Sequence, residues 1–362
     1  MKSSRTFACQ CVLMLSFNAA LPSSARSQTQ ARPPLSKDQI RVVTNEVISP
    51  VTVTDTSGEF VLDLARKDFH VFDDGVEQTI EQWDLGGDPL AVALLIDTST
   101  HLHAMEPTIH RMGSIFTETV MALDGEAAVI TYDSTVDVRQ PFTEDHDAVQ
   151  KAIAETKFEV PEMKLYDAMA AAVELLKAQP TKRRRIMLIL SESQDSGSKA
   201  NLGQIVRDAE HANIAIYAVG PSSIAADLRG SNKGVAPLKL PGTPRIETVP
   251  PVDTDPLGRP IPVYDWMTPA MWLLQRGTNE IKNHQLEVAA AATGGIHYRA
   301  FRDSTIRGAL DRIGGELHAQ YIIGYRPSAE RAPGFHAITV TISRPKVSIR
   351  TRPGYYLAPT AN

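Results

Sequence analysis

The sequence predicts a doubly wound α/β domain on a mostly parallel sheet, joined to a small β element drawn from both flanks. Three observations carry that reading. The apolar runs LAVALLID (90–97), RIMLIL (185–190) and IAIYAVG (214–220) have the length and composition of strands buried on both faces. Helix-compatible segments alternate with them at the spacing of βαβ units. Short alternating β-branched stretches with turn residues lie before residue 88 and after residue 325.

Residues 1–27 read as a cleavable export signal. MKSSR is a positive n-region and TFACQCVLMLSFNAAL an apolar h-region, while Ala25 and Ser27 suit a small-residue cut before Gln28. The h-region is too short, and too broken by Gln10 and Asn18, to be a membrane anchor. The cut takes Lys2, Arg5 and Arg26 and no acid. The 37 basic residues less these three leave 34 against 42 acids, so the net charge moves from −5 to −8. Cys9 and Cys11 leave with the signal, which excludes disulfides and cysteine nucleophiles from the exported chain. With 43% hydrophobic and 22% charged residues that chain can bury a real core, and it suits a bacterial periplasm, cell envelope or extracellular space. Mild acidity without a basic stripe argues against nucleic acid. No later run reaches the ~18 apolar residues of a membrane span.

Residues 28–39 form a polar, proline-bearing linker. Residues 40–87 are strand-like: IRVVTNEVISPVTVTD alternates β-branched residues, and DFHVFDDGVEQTIEQW reads as a hairpin turning at Asp74-Gly75. The α/β alternation occupies 88–325. After LAVALLIDTS come a helical stretch at 104–122, two strands around Asp133-Ser134, a short helix near 145–156 and the helix LYDAMAAAVELLKAQ. The strand RRRIMLILSES, the helix LGQIVRDAEHAN and the strand IAIYAVG follow. Residues 221–269 break the pattern with ten of the chain's 24 prolines, which reads as a long loop or partly ordered insertion. HQLEVAAAATGG, IHYRAF and STIRGALDRIGGELHAQ resume the alternation. The tail, 326–362, is β again and is expected to pack with the N-terminal β element.

The strand LLIDTST, the segment LYDAMAAAVELL and the strand IMLILSES stand in the order and spacing of a von Willebrand factor type A domain, which the chain resembles over about residues 88–325. The flanks VTVTDTSGEFVLDLARKDFHVFDDG and YIIGYRPS…FHAITVTISRP…IRTRPGYYLA resemble von Willebrand A-related proteins of environmental, Acidobacteria-type bacteria. The resemblance implies an exported, non-enzymatic protein that binds other macromolecules. It also implies a metal-ion-dependent adhesion site at the carboxyl end of the sheet, where a hard ion with oxygen ligands bridges to an acidic group on the partner.

Residue by residue, that site is altered. Of the pattern acid-x-Ser-x-Ser, Asp97 and Ser99 match and His101 replaces the second serine. Met163 stands where the family has a threonine, and Glu192-Ser193 where it has aspartate-glycine. A thioether is a poor ligand for a hard cation. Three readings of Asp97, Ser99, His101 and Glu192 therefore stay open. No ion binds tightly and the polar groups satisfy loop backbone; or a weakened Mg²⁺ or Mn²⁺ site survives; or His101, near His103 and His110, favours a transition ion. Asp195 is a further candidate oxygen.

The run Lys182–Arg185 reads as a solvated loop edge rather than a phosphate or lipid site. Tyr264, Trp266 and Trp272 are partner-binding candidates, since aromatic residues anchor interfaces. No phosphate-cradling glycine loop, HExxH or CxxC occurs in the sequence, and Asp97, Ser99 and His101 lack a nucleophile elbow. The expectation is a non-enzymatic module binding a protein partner. An envelope metalloenzyme using His101 and a purely structural envelope protein are the alternatives.

Overall fold

The computed structural model describes residues 46–192, 194–220, 248–254, 260–264, 284–299, 303–327 and 331–357. All belong to one unit spanning residues 44–362. The export signal at 1–27 and the linker at 28–39 lie outside the described residues, as do Ser193, Trp266 and Trp272.

The chain enters through β1 (Val47–Asp55), β2 (Phe69–Asp73), β3 (Val76–Gln78) and β4 (Ile80–Leu85), then runs into β5 (Leu90–Asp97). A helical run follows in four pieces: a 3-10 turn Thr100–Met105, α1 (Glu106–Arg111), α2 (Gly113–Ile115) and a π turn Phe116–Met121. Pro107 falls in the first turn of α1, where its missing N–H costs nothing, and Ala122 at φ 55° ends the run. Next come β6 (Glu126–Tyr132), β7 (Val136–Thr143), α3 (His146–Ala154), α4 (Leu165–Lys177), β8 (Arg184–Leu190), α5 (Leu202–His211) and β9 (Ile214–Gly220). After β10 (Thr248–Thr254) and β11 (Pro260–Tyr264) the chain continues through α6 (Gln285–Ala292), β12 (His297–Arg299) and α7 (Asp303–Ala319). It closes with β13 (Tyr321–Tyr325), β14 (Gly334–Ile342), β15 (Val347–Arg350) and β16 (Gly354–Leu357).

The central sheet has the order β12-β9-β8-β5-β6-β7, parallel throughout except for the edge strand β7. All eight residues of β5 are buried because both faces are covered. Ala91, Ala93 and Leu95 face α4, α5 and α6, whose Met169, Val173, Val206 and Leu286 complete that layer. Leu90, Val92, Leu94 and Ile96 face the opposite layer of Phe116, Val149, Leu310 and Ile313. Each of these Val, Leu, Ile, Phe and Met side chains removed from water contributes about 1.5–3 kcal/mol, and the alanines less. The fold is thus the doubly wound α/β architecture that the apolar runs imply.

The flanks build two antiparallel four-stranded sheets, β15-β1-β13-β4 and β16-β14-β2-β3, over a core of Val51, Phe69, Val71, Tyr321, Tyr325 and Ile338. Residues from both ends of the chain share each sheet, β1 with β15 and β2 with β14. Asp74 (φ 50°) and Gly75 (φ 80°) form the two-residue turn between β2 and β3, the left-handed pair that the Asp-Gly motif suits. The boundary drawn after residue 325 moves: β13 pairs with β1 and β4, so the α/β part ends with α7.

Two other expectations change. Within 221–269, β10 and β11 pair as an antiparallel ribbon, with a register break between Val249 and Asp253. Prolines 250 and 251 fall in that break, where no ladder donor is needed. The arginines of 182–185 are not a solvated edge. Arg183 donates to the Asp124 carbonyl at 2.7 Å and to Glu144 at 2.6 Å, and Arg185 donates to the Gln179 carbonyl at 2.6 Å. Arg184 reaches Gln320 beside β13. They tie the amino end of β8 to its surroundings.

Two buried polar networks join the flanking sheets to the α/β part. Glu316 of α7 accepts from the Tyr217 hydroxyl at 2.6 Å and pairs with Arg350 of β15. Glu210 of α5 pairs with Arg352 at 3.1 Å, both side chains being buried.

Candidate functional site

Parallel pairing sets the site. Asp97 ends β5 opposite Tyr132, the last residue of β6, while Ile96 pairs with Leu190, so Ser191 emerges beside Asp97. Three strands deliver a carboxyl, a phenol and a hydroxyl to one buried corner at the carboxyl end of the sheet. Tyr132 and Ser191 are legible only as strand-end neighbours of Asp97, and the loop pattern around Asp97 does not reveal them.

The Asp97 side chain is fully buried. Its Oδ1 accepts from the Ser99 N–H at 2.9 Å, and its Oδ2 from the Ser191 hydroxyl at 3.3 Å. Burial pushes the Asp97 carboxyl up from its ordinary value, and the groups of Ser99, Ser191 and the Glu192 backbone only partly offset this. The Tyr132 hydroxyl is raised well above its ordinary value, first by burial and then by the charge of Asp97. Among the described residues, the buried Ser99 Oγ and Tyr132 Oη make no hydrogen bond of good geometry, their neighbours Asp97 and Ser191 standing only in looser contact. A buried corner with two oxygens short of well-aligned partners is polar and costly to leave dry.

The surrounding loops are held by backbone bonds. Thr98 N–H and hydroxyl both donate to the Tyr132 carbonyl, at 2.9 and 3.1 Å, and Thr100 N–H donates to the Val160 carbonyl at 2.9 Å. Met163 is buried, its N–H donating to the Ser196 hydroxyl at 2.9 Å and its carbonyl accepting from Ser196 N–H at 2.7 Å. Lys164, the residue before α4, provides no side-chain cap. The loop after β8 supplies it: Asp195 accepts from Tyr166 N–H at 3.1 Å and Ser198 from Asp167 N–H at 3.2 Å. Asp167 returns the contact by accepting from the N–H groups of Lys199 and Ala200, each at 2.9 Å. Asp195 is therefore occupied as a helix cap supplied from another loop.

The other sequence candidates disperse. His101 is exposed in the 3-10 turn, His103 pairs with Glu106 at 3.1 Å, and His110 bonds the Thr156 carbonyl at 2.9 Å. Glu192 is half-buried beside Ser191. Among the described residues, the donor atoms of Asp97, His101 and Glu192 do not all come within 4.8 Å of one another. Tyr264 closes β11, but its side chain lies outside the described residues.

The family model of the von Willebrand factor type A domain matches residues 92–194, the span from β5 through β8 into the capping loop. This segment is a von Willebrand factor type A domain. No curated protein matches the chain. Among solved structures, it is similar to the conserved hypothetical protein BatB from Bacteroides thetaiotaomicron, with TM-score 0.39 and 12% identity over 63% of this chain and 98% of that one. An aerotolerance-related membrane protein from Bacteroides fragilis gives TM-score 0.39 and 13% identity over 63% and 98%. A von Willebrand factor type A protein from Catenulispora acidiphila gives 0.43 and 7% over 88% and 76%.

The hard-ion site implied by a von Willebrand A domain would use the Asp97 corner, and the donor set here does not fit one. Asp97 accepts from Ser99 and Ser191, its burial disfavours the charged form, and among the described residues no two further imidazole or carboxylate donors gather with it within 4.8 Å. Met163 offers a buried thioether, a poor ligand for a hard cation.

Proposed function

We propose that this chain is an exported, non-enzymatic interaction module whose von Willebrand A domain meets a protein partner at the carboxyl edge of the central sheet. One observation carries the reading: the ends of β5, β6 and β8 converge on a buried polar corner of Asp97, Ser99, Tyr132 and Ser191, and among the described residues two of its oxygens make no hydrogen bond of good geometry. Ligands of open α/β sheets bind beyond the strand carboxyl ends, where the loops diverge. Export rests on the signal-like residues 1–27. The lack of further gathered donors around Asp97 among the described residues and the thioether of Met163 support a degenerate adhesion site, so recognition proceeds without a tightly held bridging ion.

The test uses the full chain as bait in an envelope extract, with chelator and with Mg²⁺. The same partner is expected under both conditions. The edge variant His101→Asp/Glu162→Lys, altered at exposed positions on the loops after β5 and before α4, weakens binding by at least about tenfold. Lys182→Glu, exposed just before β8 at the amino end of the sheet, leaves it unchanged. Full binding by the edge variant, or loss in Lys182→Glu, would place recognition elsewhere. Capture of nothing specific would favour a structural envelope role.

A further inference from the structure

The polar corner at the end of β5 is closed in this structure. Asp97 and Ser99 are 0% exposed and Tyr132 and Ser191 are 1% exposed, so no group on another molecule reaches them. The stretch after β8 runs beside the corner, since Ser191 belongs to both. The Tyr132 phenol is raised first by burial and then by the charge of Asp97, with Asp195 of that stretch adding to it. The Asp195 carboxylate is therefore within electrostatic reach of the buried phenol.

Residues 194–199 read Gln-Asp-Ser-Gly-Ser-Lys, and none of them is buried. Polar bonds to the start of α4, rather than apolar packing, hold them in place. In one direction Asp195 accepts from Tyr166 N–H at 3.1 Å and the Ser198 hydroxyl from Asp167 N–H at 3.2 Å. In the other, Asp167 accepts from the N–H groups of Lys199 and Ala200, each at 2.9 Å. Ser196 adds a matched pair with Met163, its N–H donating to the Met163 carbonyl at 2.7 Å and its hydroxyl accepting from the Met163 N–H at 2.9 Å. Both ends of the stretch are fixed. Ser191 N–H donates to the Val219 carbonyl at 3.2 Å, and Asn201 caps α5 by accepting from Gln204 N–H at 3.1 Å. A segment pinned at its ends and fastened between them by bonds that water can replace opens at lower free energy than the strands beside it.

We propose that residues 194–199 are a lid over the Asp97 corner, latched by the reciprocal contacts of Asp195 and Asp167, which lifts to expose Asp97, Ser99 and Tyr132 while the sheet stays folded. This inference rests on the carboxyl edge being the recognition face. Direct contact with the corner then requires the latch to release. Asp167 and Asp195 act as positioning residues that set how much of the population is open, and loosening either shifts it toward the open state.

The test follows nitration of Tyr132 by tetranitromethane in the full chain, read by mass spectrometry. Tyr217 is the internal control, being fully buried in β9 and bonded to Glu316 of α7. Asp167→Ala removes the acceptor of Lys199 and Ala200 and should speed nitration of Tyr132 at least about tenfold, with Tyr217 unchanged. Equal rises at Tyr132 and Tyr217 would report global unfolding, and no rise at Tyr132 a corner that stays shut; either overturns the lid. Should Asp167→Ala fail to fold, hydrogen exchange of the wild type decides. The amides of Tyr166, Asp167, Lys199 and Ala200 should exchange at least about 100-fold faster than those of Leu94 and Ile96 in β5. Exchange at the β5 rate overturns the lid. Neither readout uses a partner, so the lid can fail while recognition at this edge stands, and the reverse.

Discussion

Replacing Arg352 by leucine is expected to lower the unfolding free energy by about 3–5 kcal/mol, because it leaves the buried Glu210 carboxyl without its counter-charge. Burial raises Glu210 to about 7, with the charge and hydrogen bond of Arg352 pulling it back. The sign follows from proton counting. Between the ordinary glutamate value of 4.5 and about 7, the folded chain holds a proton that the unfolded chain has released. Stability therefore falls as pH rises through that window and levels above it, a change of about 3 kcal/mol from this group. Glu210→Gln flattens the window. In Arg352→Leu the carboxyl is raised further, so the cost of the substitution grows as the solution becomes alkaline. Urea unfolding across pH checks both statements. A cost that is independent of pH would mean that Glu210 and Arg352 do not interact as described. The double variant Glu210→Gln/Arg352→Leu should recover much of the loss, since it buries no lone charge.

Gly220→Ala is the second large effect. Gly220 ends β9 next to the strand that leads into the site, and a Cβ there would meet the Ser191 carbonyl oxygen at 1.9 Å. Backbone pairing blocks an easy escape, because Ser191 N–H donates to the Val219 carbonyl at 3.2 Å. The expected cost is at least about 3 kcal/mol, the upper part of the overpacking range. The displaced Ser191 also loses its contact with Asp97, so partner binding falls together with stability. Gly308→Ala is the matched control. Its Cβ meets nothing within 4 Å in α7, and the change should be neutral or stabilising by up to about 1 kcal/mol. If chemical denaturation finds Gly220→Ala within about 0.5 kcal/mol of wild type, the close packing of Ser191 against β9 is wrong.

These residues also show what the sequence could and could not disclose. The run 90–97 announced its own burial, because a strand covered on both faces needs no polar alternation, and Asp74-Gly75 announced its turn through left-handed backbone preference. Contacts across long separations had no such local signal. Asp195 caps α4 from 29 residues away, and Arg352 finds Glu210 across 142. The arginines before β8 looked solvated because their acceptors, carbonyls near residues 124 and 179, are fixed only by the tertiary fold. The ribbon of β10 and β11 was hidden by its prolines, which an edge pairing tolerates at a register break. At the site, Asp97 and Ser99 were legible from the loop pattern. Tyr132 and Ser191 needed the strand register, and the exposure of His101 in the 3-10 turn after Ser99 likewise has no local signal.

The reading of the carboxyl edge as a degenerate adhesion site is tested most directly by a cation titration of the full chain and of Asp97→Asn, with melting temperature as the readout. With a thioether at Met163 and no donor trio gathered around Asp97 among the described residues, Mg²⁺ and Mn²⁺ should move the wild type and the variant alike. A wild-type shift of several degrees that disappears in Asp97→Asn would contradict it, and would show a working hard-ion site at the end of β5.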